Sequence, residues 1–302
     1  MLAIIIPFYK LTFFEATLQS LADQTDKRFK VYIGDDASPE DCALLLQKFQ
    51  GYFVFEYHRF KKNLGGRSLT QQWERCISLS NDEAWLMILG DDDVLGGNVV
   101  EEFYKNKREI TTVCRYSTIV IDENNIPISN KFSHPKQEKA SDSFFRKFRN
   151  ETRSSLSEYI FKRESYEKFK FSDFPLAWYS DDMAWIKFSG NSPIITFNDA
   201  VVYFRFSNEN ISGKKDNIRF KENAKFLFFQ KLVKEDLFRF NANQACIILT
   251  TYEVLLRNNN KLKLFDIVFL SYSYLKICKI IHWLRFLKRQ LKKMVVINLK
   301  KW

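Results

Sequence analysis

The chain has 302 residues, 46% hydrophobic and 27% charged, with 16% aromatics and a net charge of +11. That composition excludes a disordered or fibrous chain and allows one large domain, or a domain with an appendage, around a sizeable core. The charge is uneven: from Lys214 to Trp302 there are 20 Lys and Arg against 6 Asp and Glu, net +14, which leaves residues 1–213 at net −3.

The N-terminal "AIIIPFY" is a short β-branched run without alternation, as expected of a strand buried on both faces. No basic stretch precedes it, so it does not read as a signal peptide. Thr12 and Glu15 form a capping-box pattern ahead of "ATLQSLADQ". A second run, "FKVYIGDD", is followed by Ser38-Pro39-Glu40-Asp41, which predicts an N-cap, a Pro at the first helical position and acid in the first turn of "EDCALLLQKF". A third run, "YFVFEYH", leads through "KKNLGGRS" to a helix over "LTQQWERCISL". The fourth, "EAWLMIL", ends in Asp91-Asp92-Asp93. Four strand–helix alternations with short connections predict an α/β fold with a mostly parallel sheet, whose ligands gather beyond the carboxyl ends of the strands.

After "NVVEEFYKNK" the pattern changes. "TVCRYSTIVIDENNIPIS" reads as a strand, an Asn-Asn turn and a return strand, "SSLSEYIF" as a strand, "KRESYEKFKF" as a short helix, and "LAWYSDDMAWIKFSG" as a helix opening at its aspartates. "SPIITFNDAVVYFRFS" predicts two further strands. "SHPKQEKASDSFFRKF" is the most polar, loop-like insertion and is expected to be mobile. From about Ile218 the chain reads helical to its end. Its apolar stretches are broken by Lys or Arg every few residues, so no transmembrane helix is expected. Five scattered cysteines (Cys42, Cys76, Cys114, Cys246, Cys278) contain no CxxC pair, and with three histidines they complete no zinc spacing; reduced core thiols are expected.

Three adjacent carboxylates repel one another unless a cation neutralises them. At a strand end the triplet reads equally as a solvated turn or as ligands for a hard divalent cation shared with a substrate phosphate. Neither a G-x-x-x-x-G-K-[ST] loop nor a G-x-G-x-x-G turn is present, so phosphate binding would rest on metal and scattered side chains.

Taken together, "AIIIPFYK", "FKVYIGDDASPED", "NLGG", "LMILGDDDVL" and "WYSDDMAW", in this order over roughly the first 210 residues, resemble the inverting family 2 glycosyltransferases of GT-A fold, such as those of bacterial surface polysaccharide synthesis. The resemblance implies that Pro7 and Tyr9 line a nucleotide pocket and that Asp35 or Asp36 contacts the base. It implies Asp93 as ligand of Mn or Mg, with Asp91 or Asp92 near the ribose and metal-bound water. "YSDDMAW" matches the family's "ED" element and implies Asp182 as catalytic base; because the pair here is Asp181-Asp182, either acid is a candidate. Where the family carries an Arg-Asn pair after "NLG", this chain has Thr70-Gln71, and Arg67 is the substitute expected at the donor. Arg205 and Ser212, in "YFRFSNENIS", are expected near the diphosphate, and Trp178 at the acceptor.

Such transfer passes through an oxocarbenium-like state. A metal stabilises the departing diphosphate, and one base, worth about 10²–10⁴-fold, activates the acceptor hydroxyl. The expectation is therefore a catalytic domain over 1–213 and a basic helical extension over 214–302. It moves a sugar from a nucleotide-diphosphate donor, with uridine the expected base, to a saccharide or lipid-linked saccharide. A non-catalytic sugar-nucleotide or polysaccharide-binding protein of the same fold is the alternative. Other bland readings stand beside these. Asp181-Asp182 at a helix start also suits the helix dipole, the aromatics suit core packing, and His58, His134 and His282 look like isolated surface or loop residues. Nine basic and no acidic residues lie between Lys276 and Trp302, beside an apolar stripe including Ile277, Ile281 and Leu284. This tail is a solvated helix face, a partner contact or an anchor on an anionic membrane; no nucleic-acid motif accompanies it. The expected location is the cytoplasm, or the inner face of the cell membrane.

Overall fold

A computed structural model describes residues 1–208, 210, 213, 216–277 and 280–299, with side chains to residue 291. The chain begins with β1 (Leu2–Phe8), α1 (Phe14–Ala22), β2 (Phe29–Asp35), α2 (Ala43–Lys48), β3 (Val54–Arg59), α3 (Leu69–Ile77) and β4 (Trp85–Ile88). It continues through β5 (Val94–Leu95), α4 (Val99–Asn106), β6 (Val113–Ile121), β7 (Gln137–Glu138), α5 (Ala140–Phe148), β8 (Tyr159–Lys162), α6 (Arg163–Phe169), α7 (Ser180–Ser189) and β9 (Ile194–Arg205). Among the described residues four α-helices follow: α8 (Ile218–Lys231), α9 (Ala242–Asn258), α10 (Leu264–Ile277) and α11 (Ile280–Leu299).

The strands form one mixed sheet in the order β3-β2-β1-β4-β8-β6-β9-β5, with β7 paired to β9. The long ladders, β1 with β2 and β4, β2 with β3, and β6 with β9, are parallel, as the unalternating apolar runs predicted. The antiparallel ladders of β8, β5 and β7 are short. One face buries Ile4, Ile6 and Phe8 of β1 against α1 and α4; the other buries Ala3 and Ile5 with Cys76, Trp185 and Phe188. Contacts divide the chain into two compact units, Met1–Ala224 and Lys225–Trp302.

Several local expectations are corrected. α1 begins at Phe14 after Phe13, without the Thr12–Glu15 cap; Phe14 is fully buried with its ring 4.6 Å from Phe8, so core packing rather than capping sets the start. Ser38 does not cap α2. Its hydroxyl donates to the Tyr9 carbonyl (2.7 Å) and accepts from the Glu40 amide (3.0 Å), joining the loops after β1 and β2, and the helix starts only at Ala43. "SPIITFNDAVVYFRFS" makes one twelve-residue strand rather than two, with a register irregularity against Tyr116 and Ser117 of β6. The polar insertion is ordered as β7 and α5, held by a buried network: Arg115 donates to Glu138, Ser143 and Thr196, and Arg146 donates to both Glu138 oxygens. His134 belongs to this network, 5% exposed, with Nδ1 3.1 Å from Arg146; burial and the neighbouring arginines push it down to about 3, so it is a neutral buried group and not a surface residue.

Cys42, Cys76 and Cys114 are buried free thiols as expected, whereas Cys246 is disulfide-bonded. In the second unit, α9 opens with a reciprocal Asn241–Gln244 capping box, and the buried Glu253 accepts from Arg289 and Gln290 of α11. No described helix is long and apolar enough to cross a membrane.

Candidate functional site

The parallel register sets Phe8 beside Asp35, and Ile5 beside Ile88, so the segments following β1, β2 and β4 leave the sheet along one edge. Side chains tie these segments together. Asp91 accepts from the amides of Tyr9 (2.8 Å) and Lys10 (2.9 Å), fixing the acid triplet to the end of β1. Tyr9 itself is 39% exposed at this edge, and Pro7 lies within β1 opposite Gly34.

Asp35 and Asp36 are both buried, and each carboxylate is already engaged. Asp35 accepts from the Ser38 amide (2.7 Å), the Tyr57 hydroxyl (2.5 Å) and Arg59 (3.2 Å). Asp36 accepts from the amides of Leu64 (2.6 Å) and Gly65 (2.7 Å) and from Arg75. A Cβ on residue 65 would stand 2.6 Å from the Asp36 carboxylate, so glycine is required for that approach. The "NLGG" turn is thus drawn onto Asp36. Arg67 leaves the same turn with an exposed side chain, while Arg75, which sequence reasoning passed over, supplies the cation on Asp36. Thr70, at the family's altered position, donates to Asp173 (2.6 Å).

In the triplet, Asp93 is 4% exposed. Its Oδ2 accepts from Ser157 (2.5 Å), its Oδ1 from the Arg205 amide (2.9 Å), and its carbonyl from Thr17 (2.8 Å). Burial pushes the Asp93 carboxyl up to about 6. The Asp92 carboxyl is raised well above the usual range, first by burial and then by the like charges of Asp93 and Asp91; burial also raises Asp91. Three acids held this way call for a neutralising cation. Among the described residues no group of three or more His, Cys, Asp or Glu side chains is placed to hold a metal ion by itself. The donor set nevertheless fits Mg or Mn. Each Asp93 oxygen keeps a lone pair, Asp92 lies adjacent, and such ions complete their shells with phosphate and water.

Arg205 is fully buried, with burial lowering its guanidinium, and each of its three guanidinium nitrogens donates to the protein. They reach the Asp92 carbonyl (2.8 Å), the Asp122 carbonyl (2.7 Å) and the Asn125 side chain (2.5 Å), while the cation sits 4.4 Å above the Phe13 ring. The guanidinium therefore clamps the acid loop. Ser212 lies outside the described residues.

α7 carries the second acid pair at its start. Ahead of it, Leu176, Ala177 and Tyr179 all have positive φ (58°, 51° and 71°), a strained approach that sets the direction of the first turn. Asp182 is 4% exposed and accepts from Lys147 Nζ of α5 at both oxygens (2.8 Å each); Asp181 is 3.9 Å from the same ammonium and less buried. Burial pushes the Asp182 carboxyl up to about 7 against the pull of Lys147. Burial would lower the Lys147 ammonium, but Asp182 and Asp181 together raise it, so the cation stays charged. Trp178 is half-buried, with Lys221 4.6 Å over its ring; Trp185 is buried and stacks on Tyr159 at 4.1 Å, a core role.

The chain therefore has two separate acid centres. One is a triplet suited to a cation; the other is a buried carboxylate titrating near neutrality, suited to accept a proton. No curated protein matches the chain. Among solved structures, S. aureus TarS 1–349 in complex with UDP-GlcNAc is similar with a TM-score of 0.64 at 14% identity, over 91% of this chain and 81% of that one. The same protein in complex with UDP gives 0.61 at 15%, over 90% and 80%. At such identity the likeness is one of fold: a mixed, mostly parallel sheet with flanking helices, followed by further helices. The family model for glycosyl transferase family 2 matches residues 3–185, a span that runs from β1 through both acid centres. The chain belongs to glycosyl transferase family 2, whose members transfer sugar from a nucleotide-sugar donor.

Proposed function

We propose that this enzyme is an inverting, metal-assisted hexosyl- or N-acetylhexosaminyltransferase that uses a UDP-sugar donor and a saccharide or lipid-linked saccharide acceptor. The observation that carries the reading is the pairing of the Asp91–Asp93 triplet with the near-neutral Asp182. The UDP and UDP-GlcNAc complexes of TarS support uridine as the base.

In this reading Pro7, Tyr9 and the Asp35/Asp36 loops form the nucleotide pocket. Both of those acids act largely through the turns they hold, and the exposed Arg67 reaches toward the donor. Asp93, with Asp92, would hold a Mn or Mg ion, and Asp91 fixes their segment to β1. When bound there, such an ion would offset the charge of the departing diphosphate. Asp182 takes the proton of the acceptor hydroxyl as that oxygen bonds the anomeric carbon and the bond to the diphosphate breaks, which inverts the centre. Its burial and pKa favour it over Asp181 as base. Trp178 offers an aromatic face to the acceptor. Arg205 serves by holding the acid loop. The catalytic module spans 1–213, with 214–302 as a basic helical extension.

Calorimetric titration of UDP with and without Mn, beside Asp93→Ala, tests the donor site. Metal-dependent binding lost in the variant is expected; equal binding by a folded Asp93→Ala removes the triplet from the site. The non-catalytic alternative predicts the same binding without turnover of any UDP-sugar.

The extension has a membrane reading with its own observation. Leu264, Phe265, Val268, Tyr272 and Leu275 of α10 are exposed, and so are Ile281 and Leu284 beside Arg285 and Lys288 of α11. An exposed apolar stripe with flanking cations suits the inner face of an anionic bilayer. Co-sedimentation with phosphatidylglycerol vesicles but not with phosphatidylcholine vesicles is expected; equal recovery from both sinks this reading.

A further inference from the structure

We propose that Lys147 is a positioning residue for the transfer: from α5 it grips both carboxylate oxygens of Asp182 and fixes the direction in which the base presents its remaining lone pairs. The inference rests on Asp182 being the base.

The geometry is specific. Nζ lies 2.8 Å from Oδ1 and 2.8 Å from Oδ2, at a side chain 26% exposed, against an acid 4% exposed. Lys147 and Asp182 line a small cavity together with Phe144, Tyr159, Trp185 and Ile194 and the hydroxyl-bearing Ser143 and Ser154. A buried ion pair is seldom retained for stability, because desolvation offsets the attraction. Here the cation is also held in place from behind. Arg146, its neighbour in the chain, is fixed to Glu138, which is fixed to Arg115 and so to β6; Ser143, one turn earlier on α5, is bound to Arg115 as well. The helix that delivers Lys147 thus cannot slide relative to the sheet without breaking a buried network.

With Lys147 on one lone pair of each oxygen, the second lone pair of each remains for the acceptor. The hydroxyl proton passes to Asp182 and Lys147 stays protonated throughout. The other ionisable groups bearing on Asp182 are Asp181 on its own helix, Tyr179 at the helix start and Glu158 just before β8, while Tyr159 bears on Lys147. Lys147 is the cation among them that hydrogen-bonds Asp182, so its removal moves the acid's titration upward by about 1–3 pH units.

The test uses the full chain, with water as the acceptor and UDP release from UDP-GlcNAc as the signal. The profile of kcat/KM against pH is measured for wild type, Lys147→Met, Lys147→Arg and Asp182→Asn. Lys147→Met is expected to shift the acid limb up by about 1–3 units, losing about tenfold or more at pH 6 and recovering toward pH 9. Lys147→Arg keeps the charge and should leave the limb near its wild-type place. A limb unmoved in Lys147→Met, with the variant folded, overturns the proposal. Undiminished turnover by Asp182→Asn instead overturns the identity of the base.

A second measurement needs no turnover: unfolding temperature against pH for the two single variants and the double variant Lys147→Met/Asp182→Asn. Lys147→Met should lose stability as pH rises from 6 to 9, as the unpaired acid is forced to ionise, and the double variant should lose that dependence. Parallel curves for wild type and Lys147→Met overturn the pair, whatever the substrate proves to be.

Discussion

Replacing Arg205 by Met removes the clamp under the acid triplet while keeping most of the buried stem. Three bonds from a charged donor are lost, to the Asp92 carbonyl, the Asp122 carbonyl and Asn125. Each is worth roughly 1.5–3 kcal/mol when the donor is ionised, and they share one group, so the sum is less than additive: about 4 kcal/mol. The cation–π contact with Phe13 is lost with them. For a unit of 224 residues, about 4 kcal/mol lowers Tm by roughly 10 °C. Arg205→Lys keeps the charge but has no planar fork, and should recover less than half of the loss. Differential scanning calorimetry at 0.1 and 0.5 M salt reads the effect, which should be insensitive to salt because the group is fully buried. A loss below about 1 kcal/mol would mean that water satisfies the two carbonyls and that Arg205 is no clamp. Retained stability with abolished UDP binding would instead return Arg205 to the role of a diphosphate ligand.

Three further outcomes follow from the geometry. The wild-type rate should fall about tenfold per pH unit below about 7, because the Asp182 base must be ionised and burial raises it to about 7; a flat profile between pH 5 and 8 would exclude it as base. Ser157→Ala removes the hydroxyl donor to Asp93 Oδ2 and should weaken Mn-dependent UDP binding several-fold, a shift readable by calorimetry and absent if Asp93 takes no part. Glu253→Ala leaves Arg289 and Arg257 without their carboxylate and should destabilise the second unit by roughly 3–5 kcal/mol, seen as faster amide exchange in α9 and α11; unchanged protection there would show the ion pairs to be dispensable.

The sheet was legible because strands buried on both faces must be continuous apolar runs, and β1, β2 and β4 are such runs. The acids were legible because carboxylates at the end of a buried strand are conspicuous. Lys147 was not. It sits in "FFRKFR", where Arg146, Lys147 and Arg149 look alike, and only the packing of α5 against α7 decides which one meets Asp182. Arg205 could be seen as a cation near the site, but not as one whose three guanidinium nitrogens each bond within the protein. Helix starts at Phe14 and Ala43 were misplaced because Phe14 packing and Ser38 bonding, both long-range, overrode local capping signals. Arg75 escaped notice because its partner, Asp36, lies 39 residues away in the chain.

The path of the chain through the acid triplet has a consequence for what this region tolerates. β4 pairs with β1 and β8, whereas β5, after five intervening residues, pairs with β9, and three other strands separate them in the hydrogen-bonded order. The triplet is thus a short span between two anchorages, pinned on one side by the Tyr9 and Lys10 amides and on the other by Val94 and Leu95 opposite Tyr203 and Val202. A residue gained or lost between Gly90 and Asp93 cannot be absorbed as slack. It would move β5 by one place along β9 and turn every side chain there to the opposite face. Spacing, more than composition, is the quantity under constraint in this segment: an acid can be exchanged for another polar group and leave the frame standing, but a single insertion would take the frame apart.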